Sequence, residues 1–146
     1  MTNDLSDVNA RFVLTVPDVF ATPQVLQGFS TDDAWATEEV DIAEVMIGVD
    51  GIMSAGYTPF IVQQTVIFQA TSPSILSVME AWKSAMTAAQ QTFWAQGTIL
   101  VPSIGTQYQL YNGVLTRITA FPHAKKVLQP VSYRISWNGY NASPMV

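Results

Sequence analysis

Apolar side chains recur at every second position in stretch after stretch of this chain, and at helical spacing only once, so a sheet has to carry the fold. The cleanest case puts Val131, Tyr133, Ile135 and Trp137 on one side and Ser132, Arg134, Ser136 and Asn138 on the other. Arg11–Val16 sets Phe12, Leu14 and Val16 against Arg11, Val13 and Thr15, and Pro17-Asp18 stops it. Phe60–Gln69 aligns Phe60, Val62, Val66 and Phe68, interrupted only by Gln64. Its other face carries Gln63, Thr65 and Gln69, which predicts a neutral, amide-rich surface toward solvent or a channel.

Turn residues divide the remaining strands. A short strand is predicted over 24–29, followed by a polar connection over 29–37 that contains Asp32 and Asp33. Over 40–49 both faces are mixed, and Asp41 and Glu44 lie on opposite sides. Such a strand cannot be wholly interior, because an unpaired buried carboxylate is very costly. It belongs near an edge or in an extended hairpin turned by Asp50-Gly51, with a further break over 54–59. Later strands are predicted over 98–101, 107–111 and 114–121, the last two joined by a two-residue hairpin at Asn112-Gly113. Asn138-Gly139 ends the terminal strand and leaves 141–146 as a tail.

The single helix is predicted to start at Ser72-Pro73 and reach about Phe93. Ile75, Met79, Trp82, Met86, Ala89 and Phe93 form its apolar stripe, suited to packing across a sheet. Together these elements predict a mainly β fold with one helix, either an antiparallel β-sandwich or a partly closed β-barrel with the helix against one side. The expected organisation is a flexible arm over 1–10, one domain over 11–140 with a projecting segment over 40–59, and the tail.

Charge is sorted along the chain. Nearly every carboxylate lies in residues 1–50, with Arg11 as the lone base there, whereas Lys83, Arg117, Lys125, Lys126 and Arg134 face only Glu80 in the remainder. Such asymmetry bears on association rather than topology. It fits either an acidic region that keeps an apolar protein soluble or copies that meet acidic end to basic end. Only 12% of residues are charged while 49% are hydrophobic, and a surface with so few charges favours an assembly that buries much of it.

Catalytic chemistry finds little to work with. The chain has no cysteine and a single histidine, His123 in a turn, so thiolate sites and histidine relays have no residues to use. Asp32-Asp33 and Glu38-Glu39 read as solvated turn charge, and no spacing of an EF-hand or a phosphate loop is present. No enzyme activity, cofactor or metal is expected. No apolar run approaches the roughly 18–20 residues of a membrane helix, and no secretory signal precedes the first strand. The aromatic residues near the basic positions could stack bases, yet net charge -5 opposes tight phosphate binding. A carbohydrate- or peptide-binding β-module remains the other non-viral class.

Gly51-Ile52-Met53-Ser54-Ala55-Gly56-Tyr57-Thr58-Pro59, the Ser72-Pro73-Ser74 helix entry, Lys125-Lys126-Val127-Leu128-Gln129-Pro130 and the closing Trp137-Asn138-Gly139 together resemble the inner tail-tube proteins of contractile-tailed bacteriophages. The resemblance implies a structural virion protein that forms hexameric rings, stacked into a tube inside the sheath through which phage DNA passes. It implies a β-sandwich or barrel with a flanking helix and a long hairpin, matched here by 40–59, that reaches the adjoining ring. Its partners would be further copies of itself, sheath, baseplate and tail-terminator proteins, with genomic DNA only in transit. The host cytoplasm would make it and the phage tail would hold it. A baseplate tube-initiator or tail-terminator of the same fold is the alternative. On this reading Asp32, Asp33, Asp41, Glu44, Asp50, Tyr57, Arg117, Lys125, Lys126 and Arg134 are the expected contacts between subunits or rings. Gln63, Thr65 and Gln69 are the expected lumen or exposed sheet face.

Overall fold

The computed structural model describes residues 10–27, 29, 35–102 and 104–144. Residues 1–9 of the predicted N-terminal arm, Asp32-Asp33 of the predicted connection and the last two residues lie outside them. Seven antiparallel strands form one sheet in the order β2-β1-β7-β8-β9-β6-β3. They are β1 (Arg11–Val16), β2 (Phe20–Val25), β3 (Trp35–Thr37), β6 (Val62–Phe68), β7 (Ala95–Val101), β8 (Thr106–Ile118) and β9 (Val131–Pro144). A separate two-stranded ladder pairs β4 (Ala43–Ile47) with β5 (Met53–Tyr57).

This sheet wraps on itself. Five strand intervals separate β1 from β3 in the sheet order, which would hold them about 24 Å apart if the sheet were flat. The rings of Phe12 on β1 and Trp35 on β3 instead meet edge to face at 5.9 Å. The chain beyond β2 closes the gap further. Phe29 bridges Phe68 and stacks on it at 5.2 Å, Ser72 donates its hydroxyl to the Gln27 carbonyl, and Gln27 N–H donates to Ser74 Oγ at 2.8 Å. The two expected architectures thus merge into one open antiparallel sheet whose flanks face each other across a common core, as in a partly closed barrel.

The alternation read from sequence fills that core. Phe12, Leu14 and Val16, Val62, Val66 and Phe68, and Val131, Tyr133, Ile135 and Trp137 are all buried. Gln64 is buried among them because its amide oxygen accepts the Trp137 Nε1–H at 3.0 Å. The helix caps one end of the barrel. It opens as a π-helical turn, Ile75–Glu80, and continues as α1, Ala81–Ala89, ending at Gln90 in the left-handed conformation and short of the expected Phe93. Val78, three residues after Ile75 and four before Trp82, is buried beside Met79 and Trp82 and so widens the expected stripe. Phe93 lies beyond the helix, where its carbonyl accepts the Trp82 Nε1–H at 3.1 Å.

Several turn signals are overridden. Asn112-Gly113 makes no hairpin, since β8 runs through it and pairs continuously with β9 there. Asn112 has φ 51 and opposes Gln96 at an irregularity in the β7–β8 register. Its side-chain oxygen accepts from Gln96 Nε2 at 3.0 Å, so the left-handed tolerance of Asn is used for a bulge. Gly113 is required by Trp137, because a Cβ there would lie 2.5 Å from the indole ring. Asn138-Gly139 likewise stays in β9, and residues 141–144 of the predicted tail pair with 106–109. The break predicted over 54–59 is mostly β5, and the polar connection ends early in β3 because Trp35 packs on Phe12 and Phe29. Pro23 sits inside β2, where an edge strand can spare its missing N–H.

Gly113→Ala is expected to destabilise by about 1–3 kcal/mol through overpacking against Trp137. Gly139→Ala, with open space at its Cβ position, should have little effect. Denaturant midpoints compare the two, and equal losses would contradict the wedge. Tyr133 offers a second check. Burial, reinforced by the Glu80 carboxylate, pushes its phenol from 10.0 up to about 12. The folded state therefore disfavours the phenolate, so the linked stability is intact below pH 10 and declines as pH rises toward 12. The slope should be about 1.4 kcal/mol per pH unit within that window and absent in Tyr133→Phe, as read from paired urea titrations.

Candidate assembly surfaces

Register makes the β4–β5 hairpin strongly two-sided. Cross-strand partners share a face, and the pairs Ala43–Tyr57, Val45–Ala55 and Ile47–Met53 make one face wholly apolar. Glu44–Gly56 and Met46–Ser54 make the other. The mixed faces expected from sequence arise only if Asp41 is counted in the strand, and the strand begins after it at Ala43. Every residue from Asp41 to Tyr57 is exposed, including Ile47 at 75% and Tyr57 at 76%. The turn is ordered by Gly51 at φ 83 and by Asp50, whose Oδ1 accepts the Ile52 N–H at 3.1 Å. An isolated two-stranded hairpin is marginal in water, and an apolar face of this size marks an interaction surface.

The hairpin leaves the barrel at the end opposite the helix. It follows Glu38-Glu39-Val40 and returns through Pro59 to β6. That end holds an apolar cavity of about 350 Å³ walled by Trp35, Val62, Gln64, Leu110, Trp137 and Tyr140, with Glu38 and Glu39 on its lining. Gln64 Nε2 is buried in that wall with no hydrogen-bond partner among the described residues.

The helix end has the opposite character. Arg117 lies exposed near the end of β8, Lys83 lies on α1, and the β8–β9 connection carries Lys125 and Lys126. The connection is a self-closed knob. Ala124 bridges Leu128, and Gln129 N–H donates to the His123 carbonyl at 3.0 Å. It displays Phe121, Val127 and Leu128 to solvent beside the two lysines. Sequence had placed Phe121 at the end of the strand predicted over 114–121, whereas β8 stops at Ile118, and it gave Val127 and Leu128 no contact role, because no periodicity distinguishes a loop hydrophobe that supports the core from one that is displayed.

The other expected contact residues divide. Asp41, Glu44, Asp50 and Tyr57 all lie on or at the base of the hairpin, and Asp32 and Asp33 lie outside the described residues. Arg134 is engaged within the fold: its guanidinium donates to Glu38 at 2.8 Å and to Gln63 at 3.0 Å. It ties β9 to β6 and to the segment after β3. Gln63 and Thr65 stand on the half-buried outer face of β6 with Arg134 opposite Thr65, so that face carries the Arg134–Glu38 ion pair beside its amides. Gln69 has left the strand.

Among the described residues no group of three or more His, Cys, Asp or Glu is placed to hold a metal, and no helix is long and apolar enough to cross a membrane.

The mainly β fold, an open antiparallel sheet with one flanking helix, matches tail-tube-like phage structural folds. A chain of the anti-feeding prophage baseplate, from a six-fold symmetrised structure, superposes with TM-score 0.59 at 12% identity, covering 99% of this chain and 98% of that one. A chain of the same prophage's tube-terminating cap superposes with TM-score 0.60 at 12% identity, covering 92% and 88%. A family model described as "Tail fiber protein gp32" matches residues 3–141, and the chain belongs to that family. It is a structural protein of the phage tail apparatus and so of the virion. No curated protein matches it by sequence.

Replacing Val45, Ile47 and Met53 together by Ser should leave the melting transition nearly unchanged, since exposed substitutions usually stay within about 0.5 kcal/mol each. The same variant should lose concentration-dependent association in sedimentation velocity. A large drop in stability would show that the face is covered by its own chain.

Proposed function

We propose that this chain is a ring-forming subunit of the axial tube assembly of a phage tail. The hairpin carries the reading: an amphipathic two-stranded arm whose apolar face finds no cover among the described residues fits a groove on a neighbouring subunit. The similar folds in a baseplate and in a tube-terminating cap support a place at an end of the tube better than in its wall. The six-fold symmetry of the baseplate structure supports hexameric rings. Sheath, baseplate or terminator proteins would then be its neighbours, and DNA would cross the ring without being gripped.

A second reading, the tube wall itself, is favoured by the opposed chemistry of the two ends. A wall subunit needs two different, mutually complementary faces, whereas an end piece needs only one.

Negative-stain microscopy of concentrated protein tests both. Rings with a central channel are expected. Rings that stop at one or two layers identify an end piece, and open-ended stacks identify the wall. Protein that forms no ring at any concentration overturns the proposal.

A further inference from the structure

The cavity and the basic knob sit at opposite ends of the same two strands. The knob joins the end of β8 to the start of β9, where Ile118 pairs with Tyr133. The cavity lies where Tyr108 and Leu110 face Tyr140 and Trp137, six to nine residues farther along β9 than Val131. At about 3.3 Å per residue that is about 20–30 Å, so a knob cannot reach the cavity of its own chain.

We infer that the cavity is a socket for the knob of a second copy, with Val127 and Leu128 entering it and Lys125 and Lys126 meeting Glu38 and Glu39 at its rim. This rests on the assembly role proposed above and adds the contact by which copies follow one another head to tail.

Three properties of the surfaces support it. First, sizes agree: an apolar cavity of about 150 Å³ holds one benzene-sized group, so one of about 350 Å³ has room for two aliphatic side chains. Second, the chemistry is complementary, with an apolar floor and acidic lining on the socket and an apolar tip flanked by lysines on the knob. The Arg134 bond leaves part of the Glu38 charge satisfied, which makes Glu39 the main rim partner. Third, the knob is already closed by the Ala124–Leu128 bridge and the Gln129–His123 hydrogen bond, so docking need not order it. The unpartnered Gln64 amide in the wall gives an incoming backbone carbonyl a donor to complete once the wall adjusts. Because knob and socket are different surfaces, each docked copy leaves one of each free, and the contact propagates.

The absence of native cysteine permits a direct test on the full chain. Leu128→Cys protein mixed with Tyr140→Cys protein should give a cross-linked dimer on mild oxidation, at least ten times the yield of Leu128→Cys mixed with Asp18→Cys. A disulfide forms only when Cα atoms come within about 7 Å, so the bond reports the contact itself. Glu39→Lys should reduce the cross-link several-fold in low salt, and Lys126→Glu on the partner should restore it. Rings without the preferential cross-link would overturn the socket and leave the ring proposal standing. Neither rings nor cross-link at any concentration would overturn both.

Discussion

The fit of one indole determines how this sheet can close. Trp137 lies over the positions where Gly97 and Gly113 lack side chains, with a Cβ at Gly97 limited to 3.0 Å from the ring and one at Gly113 to 2.5 Å. Its Nε1–H is held by Gln64 on the adjacent strand. Three neighbouring strands and β6 are therefore registered around a single large side chain. A residue of any size at Gly113 would push β8 from β9, along the longest pairing in the fold. The tilted contact of Trp137 with Phe12, at 6.5 Å, carries this packing to β1 and so to the far flank.

Closure at that point has a consequence for the ends. A sheet wrapped round Trp137 has its helix over one opening, where Met79 and Trp82 are fully buried, and among the described residues no helix covers the other. The uncapped opening becomes the cavity, and the hairpin departs from its rim. Charge sorting along the sequence becomes polarity along the barrel: Glu38, Glu39, Asp41, Glu44 and Asp50 gather near the open end and Lys83, Arg117, Lys125 and Lys126 near the helix end. Arg11 and Asp18 run against the trend because β1 is antiparallel to β7 and places its two ends the other way round. Since the fields of exposed charges fade within about 8 Å at physiological salt, this polarity acts at contact and on orientation.

Core strands were legible in the sequence because period-two alternation reports burial directly. Val131–Trp137 and Val62–Phe68 obeyed it residue by residue, and the helical stripe located Met79 and Trp82. Local turn chemistry was less informative, since its residues serve more than one purpose. Asn112 adopts the left-handed conformation that a hairpin would use but spends it on a bulge, and Gly113 answers to a ring on another strand. Val78 shares the face of Ile75 and Trp82 at spacings of three and four, and the expected stripe was drawn too narrowly to include it. Among the expected contacts, the hairpin residues were legible as residues unsuited to an interior. Arg134 was not, because its bonds to Glu38 and Gln63 span separations of 96 and 71 residues, and only the folded sheet brings those groups together.

The same distinction bears on why the exposed apolar residues persist. Ile47, Met53, Phe121 and Val127 add nothing to the core of their own chain, and each raises the hazard of nonspecific association. They are not scattered. They lie on one face of a registered hairpin and on one closed knob, at opposite ends of the barrel, with acids beside the first and bases beside the second. The edges of the seven-stranded sheet are β2, which contains Pro23, and the three-residue β3, so edge pairing is discouraged there, whereas the β4–β5 ladder keeps both of its edges open. A main sheet with short or proline-bearing edges, and with apolar elements displayed at its ends beside charge of one sign, favours contact through those ends over strand addition along the main sheet.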